Sequence, residues 1–300
     1  MIRSLPKKYQ RDIEVLVESY GADQTLHEYI AAKQQKYFPE LLGPNRMRDV
    51  DWTEEQHTAH ATENLMAGYP LLERGYAKRI LEDNPEELAR SASTFGRLRY
   101  WWGTRNEYDD FLTYANDMLR TLASGDIELF QRYTEVTPSK ATKGPRAEKL
   151  LHAGITAVIN RDRNRLADAI AEYETWNKPK RYIECMYATL QGLLDSDPKQ
   201  VAAGLDSFIE TSRKITQLYD LFKYICLEPH GLYELCRWYD PELVAEFNPD
   251  RGLPWDYGLH CWVRGNEGKP PFYNVESLSP ALQDWLVKIP FRDEQEHRWA

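Results

Sequence analysis

The chain has 300 residues, of which 42% are hydrophobic and 12% aromatic, including nine Trp and nineteen Tyr. This length and composition predict a globular protein with a large core and exclude a disordered chain, and no Gly/Ser-rich or Pro-rich linker divides it. The formal charge of −9 disfavours direct binding to nucleic-acid phosphate or to an anionic membrane surface, and it would attract a basic protein.

Helical periodicity runs along most of the chain. Helices are predicted at 7–20 and at 25–37, followed by a loop at 39–51. The capping box Thr53-Glu54-Glu55-Gln56 then opens a third helix that ends near Gly68. Further helices are predicted at 71–82, 85–98, 106–123, 127–135, 146–160, 163–175, 179–195, 198–212 and 215–238. No stretch shows sustained strand alternation between hairpin turns, so the fold is predicted to be all-α.

Four polar residues indicate a repeated helix pair: Asn84, Asp126, Asp162 and Asp197 each stand between two predicted helices, at spacings of 42, 36 and 35 residues. Asp or Asn at this position accepts hydrogen bonds from the free amides of the next helix, and a negative charge suits that end of the helix dipole.

Apolar residues follow these caps at offsets that lie on one helical face, four, eight and eleven positions later. The sets are Leu88, Ala92 and Phe95; Leu166, Ile170 and Tyr173; Val201, Leu205 and Phe208; and, after Asp126, Phe130 alone. Small residues at offset five, Ala89, Ala167 and Ala202, would let a neighbouring helix approach closely. The pattern predicts stacked antiparallel helix pairs, as in TPR or HEAT arrays. The alternative is a chance similarity between adjacent amphipathic helices.

The rhythm changes after Tyr239, where prolines become frequent. Residues 248–275 are predicted to be irregular and contain the aromatics Trp255, Tyr257, Trp262, Phe272 and Tyr273, and a short helix is predicted at 279–287. These aromatics would either cap the open end of a helical stack or form a binding surface. In the second interpretation Asp250, Trp255 and Asp256 are partner-binding candidates. The organisation is thus N-terminal helices at 1–75, a helical-repeat body at 76–240 and a C-terminal cap at 241–300, within one continuous domain.

Most motifs of catalysis are absent. The chain has no Gly-rich phosphate loop, G-x-S-x-G elbow, H-E-x-x-H or paired C-x-x-C, so we expect no enzyme activity and no cofactor. His57, His60 and Glu63 share one face of a predicted helix and are a weak metal-site candidate. Zinc needs three or four ligands and no second pair is evident, so an exposed polar face is the favoured interpretation.

A second partner-binding candidate is the stretch from Arg99 to Asp110, which is predicted to join two helices. It combines large aromatics with acids, the composition of an interface anchor surrounded by charge. Its candidate contact residues are Trp101, Trp102, Glu107, Tyr108, Asp109 and Asp110. The alternative is that Tyr100 and Trp101 are core residues at the end of their helix.

No secretion signal or membrane span is expected. Residues 1–8 lead directly into an amphipathic segment, and the longest apolar stretch, 150–159, is about half the roughly 20 residues of a membrane span. The cysteines are unpaired in the sequence, and we expect them to be buried thiols of a cytoplasmic protein: Cys185, Cys226, Cys236 and Cys261.

The segment from Leu193 to Pro198 with the helix to Arg213, followed by the helix from Tyr224 to Cys236, resembles the C-terminal half of the immunity protein 49 family. The resemblance covers residues 80–260 and lies in the pattern, not in an invariant motif. That family accompanies bacterial polymorphic toxins and is predominantly α-helical, and it supplies no catalytic residues to carry over.

The resemblance implies a stoichiometric inhibitor that occludes a cognate toxin, either a nuclease-type or another cytosol-acting effector. A basic toxin domain is the expected partner, since nuclease toxins bind phosphate and an acidic inhibitor complements them. The alternative from the helix pattern is a TPR-like scaffold that binds a host peptide or protein. A homodimer is compatible with either.

Overall fold

The computed structural model describes residues 25, 28, 70–106, 111–133, 146–175, 181–212, 224–267 and 272–273. Every regular element in these ranges is helical, which confirms the all-α prediction for them. The α-helices are α1 (Pro70–Glu82), α2 (Pro85–Asn106), α3 (Phe111–Leu122), α4 (Ile127–Tyr133), α5 (Arg146–Ile159), α6 (Arg163–Glu174), α7 (Arg181–Asp195), α8 (Pro198–Ser212), α9 (Leu227–Tyr239) and α10 (Tyr257–Gly265). A 3₁₀-helix at Pro241–Val244 follows α9.

Three predicted boundaries are wrong. Helix α2 continues to Asn106, so residues 99–106 belong to a helix instead of joining two. Residues 224–226 interrupt the helix predicted at 215–238, and α9 begins at Leu227, because Pro229 cannot donate the backbone hydrogen bond that a helix through these residues would need. Residues 215–223 lie outside the described residues. Residues 257–265, predicted to be irregular, form α10. The predicted helices at 7–20 and 279–287 and the one after Thr53 lie outside the described residues.

The same type of turn occurs at four helix connections. Asp83, Gly125, Arg161 and Ser196 have positive φ angles of 57°, 83°, 54° and 55°, and each directly precedes one of the predicted caps. The left-handed residue reverses the chain, and at the last two turns it completes Schellman-type bonds, from the Asp162 amide to the Ala157 carbonyl and from the Asp197 amide to the Gly192 carbonyl, both 2.9 Å. The next residue then starts a new helix.

All four predicted caps are confirmed. The side-chain oxygens of Asn84, Asp126 and Asp162 accept hydrogen bonds from the amides three residues later at 3.1, 3.2 and 3.0 Å. Asp197 Oδ1 accepts from the amides of both Lys199 and Gln200, at 2.9 and 3.2 Å. Thr25 and Glu28 form a further reciprocal capping box where the second helix was predicted to start.

We expect Asp197→Ala to lower the free energy of unfolding by about 1 kcal/mol, because two helix amides lose their acceptor. Urea denaturation followed by circular dichroism measures the change. Ser207→Ala, at an exposed position of the same helix, should stay within about 0.5 kcal/mol of the wild type. Equal stability of the two variants would mean that the cap contributes nothing.

The chain divides into two compact units, one of residues 1–102 with 271–300 and one of residues 103–270. In the first unit, α1 and α2 approach so closely that a Cβ atom on Gly75 would lie 2.3 Å from Ser91 Oγ. Tyr273 packs on this pair: its amide donates to Thr94 Oγ1 at 3.0 Å, and its buried hydroxyl lies 2.7 Å from Glu87 Oε1 and 2.8 Å from Ser91 Oγ. Burial and the charge of Glu87 raise the pKa of Tyr273, so the hydroxyl donates to Glu87.

In the second unit, α5 packs on α6 and α7, and α7 packs on α6 and α8. The predicted apolar face is buried at Leu166, Ile170, Val201, Leu205 and Phe208, all at 5% exposure or less, whereas Tyr173 is half-buried. Helix α9 then packs against α3, α5 and α8. In a linear repeat array each pair contacts only its neighbours, so the return of α9 to α3 departs from that arrangement.

Helix α9 is buried on all sides from Leu227 to Cys236. It crosses α3 at Gly231, where a Cβ atom would lie 1.9 Å from the Leu119 carbonyl oxygen. Three ionised groups lie nearby: Arg120 Nε donates to Glu228 Oε1 at 2.8 Å, and Arg120 Nη1 lies 3.2 Å from Asp117 Oδ1. The Cys226 thiol donates to Glu228 Oε2 at 3.2 Å. This arrangement fixes the helix on which the candidate site is built.

Candidate functional site

The candidate site lies where residues 247–267 pack against α9. At its centre Trp255 is only 1% exposed. Its ring stacks on His230 with centroids 3.7 Å apart, and it lies 5.0 Å from Phe247, 5.6 Å from Tyr233 and 5.7 Å from His260. The proposed direct role of Trp255 in partner binding therefore does not fit, because the core covers its ring on every side. Trp255 acts as an anchor for the segment instead.

Asp256 is also buried, at 1% exposure, and starts α10. Its Oδ1 atom accepts from the amides of Gly258 and Leu259 at 2.9 and 3.2 Å, and its own amide donates to His230 Nε2 at 3.0 Å. The predicted role of Asp256 as a partner contact does not fit either, because its carboxylate is buried and caps α10. Of the three candidates in this segment, Asp250 alone is exposed.

The residue after this cap, Tyr257, is the exposed aromatic of the site, at 44%. A hydrogen bond with Cys261, the charge of that thiol group and the charge of Asp250 raise the pKa of Tyr257, in that order of importance. The phenol therefore stays neutral at physiological pH and presents both an apolar ring and a hydroxyl. We call Asp250, Tyr257 and Cys261 the Asp250–Tyr257 surface.

The surroundings of this surface are acidic. Residues 240–250 contain four acids and no base: Asp240, Glu242, Glu246 and Asp250. The 3₁₀-helix in this segment packs against α8. Helix α8 adds the exposed carboxylate of Glu210, and Asp206 forms a 2.5 Å ion pair with Arg251. Arg251 also lies over the Phe247 ring at 4.5 Å, so this base is held by contacts within the protein.

The cysteine prediction is confirmed for Cys185, Cys226 and Cys236, which are buried free thiols, and is wrong for Cys261, which is exposed. Cys261 faces outward because it lies one helical turn after Tyr257 on the outer face of α10. Both are displayed together for the same geometric reason.

The other predicted site residues are placed only in part. Trp101 and Trp102 lie within α2. The remaining candidates, Glu107, Tyr108, Asp109 and Asp110, and the weak metal candidates His57, His60 and Glu63, are outside the described residues. Among the residues that are described, no group of three His, Cys, Asp or Glu side chains is placed to hold a metal ion.

Sequence reasoning named Tyr257 among the aromatics of this segment but did not include it with the partner-binding candidates. The available indicator was Asp256, an N-cap of the same type as the four found elsewhere, which would have predicted α10 and turned Tyr257 outward. No helix in the described ranges combines the length and apolar character needed to cross a membrane. No family model, curated protein or solved structure matches the chain.

Proposed function

We propose that this protein is an immunity protein that binds a basic toxin domain and neutralises it by occlusion, using the Asp250–Tyr257 surface as part of the contact. The observation that carries the proposal is an exposed tyrosine next to an acidic segment, seated on a buried aromatic core. The resemblance noted in the sequence points to the same class of partner.

The physical argument has two parts, a tyrosine side chain that anchors the partner and carboxylates that attract it electrostatically. Tyrosine is enriched among interface residues that dominate binding energy, since it buries a large ring and offers a hydroxyl. The carboxylates of residues 240–250 would steer a basic partner toward that anchor. A stable complex buries roughly 1,600 Å² in total, so further surface must take part, and the exposed side of α8, which carries Glu210, is adjacent to the 3₁₀-helix.

Tyr257→Ala should weaken toxin binding about tenfold, and Asp250→Lys should slow association and reduce its dependence on salt. Surface plasmon resonance at two ionic strengths separates these effects. Asp168→Lys makes the same charge change at an exposed position of α6 and serves as the control. If all three variants bind like the wild type, another surface carries the contact.

The predicted contact residues at 107–110 are the competing candidate, and Asp109→Lys with Asp110→Lys tests them. If these residues bind the toxin, the double variant loses toxin binding while its helical circular dichroism is unchanged. Loss of binding in this variant but not in Tyr257→Ala would move the contact there.

The proposed function itself is tested by co-expression with the toxin encoded beside it. Cells that carry both proteins should grow, and cells that carry the toxin alone should not. Absence of both protection and binding in a purified pair would refute the proposal.

A helical scaffold is the second candidate, favoured by the repeated turn at Asp83, Gly125, Arg161 and Ser196. In this case the helix pairs form a TPR- or HEAT-like array that binds a peptide of the host cell. Capture of one reproducible peptide motif, together with no effect on toxin activity, would support it over the immunity protein.

A further inference from the structure

Two histidines hold the segment that carries Tyr257. His230 on α9 is 3% exposed and His260 on α10 is 8% exposed, and both rings pack on Trp255. His260 also lies against Tyr233, with centroids 5.2 Å apart. The contact between α9 and α10 is thus built around two imidazoles and one indole.

The hydrogen bonds require neutral histidines. His230 Nε2 accepts the amide of Asp256, so this nitrogen cannot carry a proton in the structure. His260 Nδ1 is buried and has no hydrogen-bond partner, so a proton there would place an N–H group without an acceptor. Protonation of either ring therefore opposes the packing that joins α10 to α9.

We propose that His230 and His260 form a pH-sensitive latch: in the neutral state they hold residues 254–265 on α9, and their protonation releases this segment and Tyr257 with it. The latch is a property of the free chain and does not depend on which partner the surface binds. If the proposed function is correct, mild acid also weakens the toxin complex.

Electrostatics supports the geometry. Burial lowers the pKa of His230 well below its usual range, with the charge of His260 as a second cause. Burial, with the charges of Arg264 and Arg237 as lesser causes, lowers the pKa of His260 to about 4. When segment 254–265 is released, both pKa values return to about 6.5. The released state then binds more protons between these values, so the closed state loses stability as pH falls through that window.

The elements that pack against α9, together with α9 and α10 themselves, carry other ionisable groups. On α9 and the turn before it these are Cys226, Glu228, Tyr233, Glu234 and Arg237; at α10, Asp256, Tyr257, Cys261 and Arg264; on α3, Asp117 and Arg120; and on α5, α8 and the 3₁₀-helix, His152, Asp206, Glu210, Glu242 and Glu246. Burial raises the pKa of Glu234, so that carboxyl binds its proton more readily in the closed state and acts in the opposite direction. The histidines are the groups that favour release.

Hydrogen exchange on the full chain tests the latch, with protection factors corrected for intrinsic rates. The reference is the α7–α8 hairpin, residues 181–212, which contains no histidine. Between pH 7 and 5.5, protection of residues 257–265 relative to this reference should fall about eightfold for each histidine and about 70-fold for both. A constant ratio in the wild type would overturn the proposal without any variant.

Two substitutions identify the histidines as the cause. His230→Gln keeps an acceptor for the Asp256 amide at every pH, and His260→Phe keeps a ring beside Trp255. Each should leave about an eightfold decrease, and together they should make the ratio independent of pH. His152→Gln, a buried histidine on α5, is the control and should leave the 70-fold decrease intact. A decrease that persists in the double variant would assign it to carboxylates and refute the latch.

Discussion

Gly231→Ala should destabilise the second unit by about 3 kcal/mol or more, because α9 and α3 touch at this glycine. A Cβ atom would lie 1.9 Å from the oxygen, 2.5 Å from the carbon and 2.8 Å from the Cα of Leu119. All three are backbone atoms, so no side-chain rotation relieves the overlap and the helices must separate. In an open helical site the same substitution would stabilise by about 1 kcal/mol, so the sign of the change reports the clash. Urea denaturation measures it.

Gly265→Ala is the matched control, since it is also helical and an added Cβ atom there meets nothing within 4 Å. Because Gly265 is the last residue of α10, Gly265→Ala should stabilise the protein by no more than about 1 kcal/mol. Gly204→Ala should lie between the two, because the hydroxyl of Thr189 can rotate away while its amide nitrogen, 2.8 Å from the new atom, cannot. If Gly231→Ala is as stable as Gly265→Ala, the close approach of α9 and α3 is wrong.

The caps illustrate what is predictable from sequence. Asn84, Asp126, Asp162 and Asp197 accept hydrogen bonds from amides two or three residues away, so the interaction is contained in a short window. The left-handed residue before each cap was not predicted, because Arg161 and Ser196 are not residue types that favour positive φ.

The path of α9 was not predictable by the same reasoning. Its contact with α3 joins Arg120 to Glu228, 108 residues apart, and nothing local marks either residue as a partner of the other. A glycine such as Gly231 within a helix pattern indicates a weak helix position, and only the crossing helix shows why it is needed.

The candidate site was also predictable only in its local features and not in its packing. The sequence identified Asp250, Trp255 and Asp256 as one acidic and aromatic group, and the structure separates them by direction. Trp255 and Asp256 point inward and Asp250 is exposed, with Tyr257 beside it. Composition predicts that a segment is suited to binding. Which of the consecutive side chains of residues 255–257 is exposed depends on the tertiary packing, in which Trp255 stacks on His230 and Tyr257 faces solvent.

Arg120→Met should cost about 3–5 kcal/mol, comparable to the effect at Gly231 but for an electrostatic reason. Arg120 Nη2 lies 2.6 Å from Glu228 Oε1, and the side chains of Asp117 and Glu228 are 0% and 6% exposed. Methionine fills similar space but removes the guanidinium that both buried carboxylates contact. Chemical denaturation at pH 7 gives the change in free energy of unfolding.

Arg264→Met provides the comparison, since Arg264 and Glu267 form an ion pair whose side chains are 40% and 53% exposed. Solvent screens such a pair, and its loss should cost less than about 1 kcal/mol. Adding Glu228→Gln to Arg120→Met should recover part of the stability, because it removes the buried charge of Glu228, and the double-mutant cycle should show coupling of about 0.5–3 kcal/mol. An Arg120→Met variant as stable as Arg264→Met would show that water reaches the Arg120 site, and α9 would then lack the buried seat on which the Asp250–Tyr257 surface rests.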